Sequence, residues 1–106
     1  MCEFKVFVNS IGEKKRVAED VIKVLCEEGR YTLVDILGLS VELEDVLVER
    51  VDVAEEKIEL IKHPLIGDFL KLIHADLERA KGLKSREEVA KIWEELKTKG
   101  DKILLG

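Results

Sequence analysis

The sequence predicts a mainly β fold with a C-terminal α part: a small six-stranded antiparallel β-barrel over residues 1–63, followed by a helical hairpin over residues 64–106. Six short apolar or alternating segments, separated by turn signals, fill the first part. Pro64, the only proline, marks a change of apolar period from about 2 to about 3.6 residues. Closure into a barrel would leave no exposed strand edges, which favours a barrel over a flat sheet.

The first predicted strand spans residues 3–9. Its even positions, Phe4, Val6 and Val8, are apolar and are expected to face a core. Cys2 stands directly before this strand with no linker between them. A strand rooted in the core would hold the Cys2 thiol at the mouth of a rigid scaffold.

Five more strands are predicted at short intervals, over residues 21–27, 30–36, 41–43, 47–53 and 57–62. The charged run Glu13–Arg16 is expected to be a solvated loop or a strand edge. Gly29 can adopt positive φ and turns the chain between the second and third strands. Turns at this frequency are typical of small barrels.

Two amphipathic helices are predicted beyond Pro64. The first is stopped by Gly82, and Ser85 with Glu88 forms a capping-box signature that opens the second. Gly100 is the expected end of the second helix, which leaves residues 103–105 as an apolar tail. The helices are expected to form a hairpin. Their apolar stripes, with Phe69 and Trp93, are expected to pack within the hairpin rather than to bind a partner.

Charge is unevenly distributed along the chain, whose net charge is −5. Residues 1–63 carry 9 Lys and Arg against 15 Asp and Glu, whereas residues 64–106 carry 9 against 8. An acidic β part repels phosphate backbones, so nucleic acid is not the expected main partner.

Apolar runs are too short for a membrane span, and a cytoplasmic location is expected. Charged residues at 39% with no Gln and one Asn predict a thermophilic source.

Several segments together resemble the CooT family. They are Met1-Cys2 leading straight into a strand, Val17-Ala18-Glu19-Asp20-Val21, Thr32-Leu33-Val34-Asp35-Ile36-Leu37-Gly38, and Val51-Asp52 with Ile58-Glu59-Leu60. The resemblance covers roughly residues 1–62. Hydrogenase-maturation chaperones of HypC type also begin Met-Cys, but they continue with an apolar-Pro-Gly pattern that this sequence lacks.

The resemblance implies a small cytosolic β-barrel protein that binds Ni(II) as a homodimer and assists nickel delivery to a client metalloenzyme, carbon monoxide dehydrogenase. It implies Cys2 as the metal residue. Some members are catalogued as predicted RNA-binding proteins, which gives RNA binding as the alternative function. This chain lacks the His-rich tail of some members, and residues 64–106 extend beyond the minimal barrel.

The chemistry of Cys2 suits this role. A thiolate beside nitrogen donors suits square-planar nickel, and Cys2 can offer its sulfur together with its own backbone nitrogen. That nitrogen is an amine if Met1 is removed and an amide if Met1 stays. Two copies of Cys2 related by a dimer two-fold could supply two sulfurs and two nitrogens. We therefore predict a nickel carrier without catalysis.

The other candidate residues are expected to be structural. Cys26 shares an apolar face with Val24 and is expected to be a small buried hydrophobe. His63 is expected to be a junction residue and His74 a surface or interface residue. The carboxylates Glu19, Asp20 and Asp35 are expected at turns and strand edges rather than as an acid/base pair. A third hypothesis, compatible with the first, is that the helical hairpin docks on a client enzyme.

Overall fold

The computed structural model of the protein describes residues 3–106. Its strands are β1 (Phe4–Ser10), β2 (Glu13–Glu27), β3 (Arg30–Asp35), β4 (Ser40–Glu44), β5 (Val46–Asp52) and β6 (Lys57–Lys62). The helices are α1 (Ile66–Ala80) and α2 (Arg86–Gly100), and a π-helical turn, Asp101–Leu105, continues α2. The prediction of a mainly β fold followed by two helices is confirmed.

The predicted closed antiparallel barrel is wrong. The strands form one mixed sheet in the order β4-β3-β2-β1-β6-β5, in which β1 and β6 run parallel. Within residues 3–106, no hydrogen-bonded ladder joins β4 to β5. The reason is the single residue, Asp45, that links these two strands. It bends the chain at φ 58° without a hairpin reversal, so β5 keeps the direction of β4 and β6 arrives parallel to β1.

The open sheet nevertheless curls strongly. Its two edge strands, β4 and β5, are one residue apart in the chain and therefore meet at one corner. The Val48 N–H of β5 also donates to the Tyr31 hydroxyl of β3 at 3.4 Å, although three strands separate β3 from β5 in the sheet. The core fills the inside of this curl and consists of Val6, Val8, Val21, Tyr31, Leu33, Val46, Ile58 and Leu60.

The second strand is longer than predicted. β2 spans 15 residues because the charged run Glu13–Arg16 belongs to it and pairs with the end of β1, as in the pair Ser10 and Glu13. Backbone pairing needs no apolar side chains, and these four side chains are exposed. The run is therefore ordered strand rather than loop.

The helical hairpin is attached to the sheet by close backbone contacts. The Gly67 N–H near the start of α1 donates to Asp45 Oδ1 at 2.9 Å. The turn between β2 and β3 comes so close that a Cβ on Gly29 would lie 2.6 Å from the Gly67 carbonyl oxygen. The Lys99 ammonium of α2 reaches Asp68 Oδ2 of α1 at 2.7 Å and joins the two helices.

The predicted helix signals are confirmed at α2. The Glu88 N–H donates to the Ser85 hydroxyl, and the Ser85 N–H donates to the Glu88 carboxylate, which completes the capping box. The prediction that the apolar stripes pack inside the hairpin is wrong for their two aromatic residues, Phe69 and Trp93. Phe69 is 52% exposed and Trp93 is 46% exposed. The short hairpin covers one side of each helix, and the remainder of the stripe faces outward.

Candidate functional site

The predicted metal residue, Cys2, lies outside the described residues. The strand that follows it, β1, is one of the two central strands of the sheet and pairs with β2 on one side and with β6 on the other. Val6 is fully buried and Val8 is 9% exposed, as the alternating pattern predicted. Ladders on both edges and a buried face make β1 a rigid base for whatever precedes it.

No group of three or more His, Cys, Asp and Glu side chains within residues 3–106 could hold a metal ion. His63 lies at the junction between β6 and α1, as predicted, and its Nδ1 accepts the Leu65 N–H at 3.1 Å. This hydrogen bond occupies the Nδ1 lone pair and so fixes the orientation of the imidazole ring. His74 is half-buried on α1. Within the described residues, neither histidine belongs to a group of three or more such side chains.

Cys26 is half-buried and packs against the core of the sheet. Burial raises the pKa of its thiol above the ordinary value. The thiolate is the form that binds metals, so this shift disfavours metal binding at neutral pH. The interpretation of Cys26 as a small hydrophobe agrees with this position.

Of the carboxylates singled out in the sequence, Glu19 and Asp20 lie within β2 and Asp35 ends β3. Asp35 Oδ1 accepts the N–H groups of Leu37 and Leu39 at 2.9 and 3.0 Å. Asp20 adopts φ 55° at an exposed bend of β2, where its carbonyl accepts the Ile36 N–H. Asp35 therefore orders the turn between β3 and β4, which is a structural role.

A charged cluster occupies the outer face of β1, β6 and their neighbours. Its centre is Glu59, whose side chain is 10% exposed and whose Oε1 lies 2.6 Å from Lys14 Nζ. Arg50 approaches the other carboxylate oxygen at 3.5 Å. The ammonium groups of Lys14 and Lys57 lie 5.1 and 6.0 Å from the centre of the Phe7 ring. This outer-face cluster consists of Phe7, Lys14, Arg50, Lys57 and Glu59.

The cluster is held together by charge. A hydrogen bond from the Lys14 ammonium is the main cause that lowers the pKa of Glu59, against the opposing effect of burial. Nearby, the pKa of Asp52 is also lowered, chiefly by the Glu55 N–H that its carboxylate accepts. Sequence reasoning did not predict this cluster. A signal was present, because Lys57 and Glu59 occupy alternate positions of β6 opposite the buried Ile58 and Leu60.

Comparison with known proteins connects this architecture to one family. The family model described as CO dehydrogenase accessory protein CooT matches residues 1–61. A crystal structure of a candidate CooT protein from Carboxydothermus hydrogenoformans has the same fold, with a TM-score of 0.54 and 21% sequence identity. The similarity covers 58% of this chain and 98% of that chain. No curated protein matches the chain by sequence.

The matched residues contain the curled sheet up to Ile61, the penultimate residue of β6, and the two helices follow beyond the match. No helix in the described part of the chain has the length and apolar character that crossing a bilayer requires. The family consists of accessory proteins rather than enzymes. Since the family model matches more than half of the chain, this protein is a member of the CooT family of CO dehydrogenase accessory proteins.

Proposed function

We propose that this protein carries Ni(II) as cargo for the maturation of carbon monoxide dehydrogenase and binds the ion through Cys2 in a homodimer. Membership of the CooT family supports the accessory role and a client metalloenzyme. The observation that carries the proposal further is the strand that follows Cys2 in the sequence, since β1 begins two residues later and is paired on both edges.

The proposed site uses donors that suit the ion. A Cys2 thiolate and its backbone nitrogen from each of two chains would supply two sulfurs and two nitrogens, a set that favours square-planar nickel. Each chain would supply half of the ligands, and a two-fold axis would bring the two halves together. Nickel binding and dimer formation would therefore be coupled. Cys26 is a poor alternative ligand for nickel because burial raises the pKa of its thiol.

The first prediction is that metal-free protein binds about half a nickel ion per chain, the ratio that a site shared across a two-fold requires. Titration followed by absorption is expected to reveal sulfur-to-metal charge-transfer bands. Both the bands and binding are expected to disappear in Cys2→Ser. Because the ligand thiols must lose their protons, the apparent affinity should fall as pH is lowered below about 8.5, the ordinary thiol pKa.

Cys26→Ser is the matched control for this titration. It removes the other thiol of the chain and is expected to leave the nickel stoichiometry and the absorption bands unchanged. Binding by the folded Cys2→Ser protein equal to that of the wild type would contradict the assignment of Cys2. A folded wild-type protein that binds no nickel would contradict the carrier function itself.

Binding of RNA is the second candidate function, and the outer-face cluster is the observation that bears on it. The ammonium groups of Lys14 and Lys57 lie near the aromatic ring of Phe7, and Arg50 pairs with the neighbouring Glu59, so cations and an aromatic ring that can stack on a base lie on one face. Glu59 pairs with two of these cations, and residues 1–63 carry a surplus of six acidic groups. We therefore expect weak binding.

Fluorescence anisotropy with a labelled single-stranded RNA tests this second candidate. We expect no saturation at low micromolar protein in about 0.15 M salt, because few phosphate charges can be neutralised. Tight binding that is lost in Lys14→Glu and retained in Lys91→Glu, a control on the exposed face of α2, would instead favour RNA as the partner.

A further inference from the structure

The helical hairpin carries an apolar groove between its two helices. At the base of the hairpin the groove has a volume of about 580 Å³, and its walls include Phe69 of α1, Trp93 of α2 and Leu104 of the π-helical turn. A second depression shares Trp93 with it and continues toward the tip between Ile73 of α1 and Val89 of α2. Residues 69 and 73 are four apart, as are residues 89 and 93, so each pair lies on one side of its helix. The two depressions therefore form one surface, which we name the hairpin groove.

The shape of the hairpin groove fits an elongated partner. Each helix has 15 residues and is about 22 Å long, so the surface between them extends over about four helical turns. The groove is open along its length, whereas a site for a small molecule buries most of its ligand. An amphipathic helix laid along the groove would bury its apolar stripe and keep its polar side in water.

Gly100 leaves a notch in the wall of the groove. It lies where α2 passes into the π-helical turn and has helical angles, φ −62° and ψ −42°. A Cβ at this position would meet no atom within 4 Å. Neither its backbone conformation nor packing within residues 3–106 requires glycine, although glycine destabilises a helix relative to alanine. The notch gives a side chain of an incoming helix a place to enter.

Two charges without an ion-pair partner mark the ends of the groove. Arg86 borders it at the tip and Asp101 at the base. Within residues 3–106 neither of them joins an ion pair, whereas Lys97 is already paired with Glu94 at 3.0 Å. Arg86 and Asp101 are 15 positions apart, or about 22 Å along a helix. A partner helix with an acidic residue near one end and a basic residue near the other would pair with both.

We propose that the hairpin groove receives an amphipathic helix of the client enzyme, carbon monoxide dehydrogenase. That helix would have about four turns and an apolar stripe, with an acidic and a basic residue about 15 positions apart at its ends. The choice of this enzyme rests on the proposed function and its support in the family match. The groove itself is built mainly from residues that follow the match, so docking is a property of the added helices.

A second copy of the chain fits the groove less well than a helix of the client. The proposed nickel site already uses one two-fold axis between copies. A separate contact between hairpins about another axis would link those dimers into open-ended chains. A single helix of another protein covers the apolar groove without such growth.

Isothermal titration calorimetry with purified carbon monoxide dehydrogenase tests the proposal. The full chain is used metal-free in nickel-free buffer, and Cys2→Ser is expected to bind as tightly as the wild type. Phe69→Glu is expected to raise the dissociation constant about 30-fold or more, because it places a charge in an apolar interface. Lys91→Glu is the matched control, since Lys91 is exposed on α2 and lies outside the groove.

Gly100→Leu separates docking from folding. Leucine would fill the notch, so we expect the dissociation constant to rise about 10-fold or more. The denaturant midpoint is not expected to fall, because leucine favours a helix more than glycine does. Lys91→Leu adds the same side chain to the opposite side of α2 and should bind the enzyme as the wild type does.

The charged ends of the groove are tested by Arg86→Glu and Asp101→Lys. Each is expected to weaken binding about 5-fold at low salt and less at about 0.5 M salt, where charge is screened. Photo-cross-linking from benzoylphenylalanine in place of Phe69, followed by mass spectrometry, identifies the segment of the enzyme that occupies the groove. We expect a surface helix with the apolar stripe and the end charges described.

Four results would overturn the proposal. They are no binding by the folded wild-type chain, unchanged binding in Phe69→Glu or Gly100→Leu, loss of binding in Cys2→Ser, and cross-links to a segment that is not a helix. Self-association that Phe69→Glu abolishes would assign the groove to a second copy and also overturn it. A chain that docks but binds no nickel contradicts the carrier function alone, and a chain that binds nickel but does not dock contradicts this inference alone.

Discussion

Glu59 is a carboxylate held on the outer face of the sheet by two cations. Its pKa is lowered, chiefly by the hydrogen bond from Lys14, so the ionised form is preferred in the folded protein. A lowered folded pKa contributes stability above the ordinary carboxyl pKa. That contribution is lost as pH falls through the folded pKa. Acid should therefore loosen the β1–β6 region through this residue.

Replacement of Glu59 by Gln tests this electrostatic role. We expect Glu59→Gln to unfold at lower denaturant concentration than the wild type at neutral pH, because the amide cannot pair with Lys14 and Arg50. The difference between the two proteins is expected to shrink below the ordinary carboxyl pKa and to vanish once pH falls below the lowered pKa of Glu59.

Denaturant unfolding at a series of pH values measures this difference. Glu49→Gln, which changes an exposed carboxylate on β5, is the control and should follow the wild type. A difference that stays constant down to the acid limit would mean that Glu59 acts through packing rather than through its charge.

At the scale of elements, the crossing of the β2–β3 turn over α1 decides how the hairpin sits on the sheet. Gly29 has φ 80° and would carry a Cβ only 2.6 Å from the Gly67 carbonyl oxygen and 2.9 Å from Cγ of Lys71. The approach brings Gly67 to Asp45, whose carboxylate accepts its N–H. Glycine at positions 29 and 67 thus allows the β2–β3 turn, the bend at Asp45 and the start of α1 to come into contact.

Alanine at Gly29 tests this crossing against a matched glycine. Gly38 also has positive φ, at 83°, but no atom lies within 4 Å of the position of its Cβ. We expect Gly38→Ala to cost about 1–2 kcal/mol for the left-handed backbone alone. Gly29→Ala should cost about 1–3 kcal/mol more, because the helix must move.

Free energies of unfolding from denaturant titration give both values. Equal costs for Gly29→Ala and Gly38→Ala would show that α1 can move away from the β2–β3 turn without loss of stability. In that case the contact between turn and helix would not position the hairpin.

At the scale of the whole molecule, the chain divides at the end of β6 into a sheet and a pair of helices. The family match and the nickel proposal concern the curled sheet and the residues before β1, whereas the two helices follow beyond the match. The division into a domain of residues 1–63 and an extension of residues 64–106 stays a prediction.

Much of the local structure could be predicted from the sequence because its causes are local. Alternation in β1 predicted which side chains are buried, and the Ser85–Glu88 box predicted the start of α2. Cys2 was also identified from the sequence, through its position and the family resemblance, and its role stays a prediction. The first two inferences need only side-chain period and capping chemistry, whereas the assignment of Cys2 also needs the family resemblance.

The sequence by itself determined six strands, two helices and the identity of the candidate ligand. The tertiary structure decided the direction of β5 and β6, the openness of the sheet and the charged surroundings of Glu59. It also decided that Phe69 and Trp93 face outward. The physical reason is that one bend at Asp45 sets the direction of every later strand, and whether such a residue bends or reverses the chain depends on contacts far along the sequence.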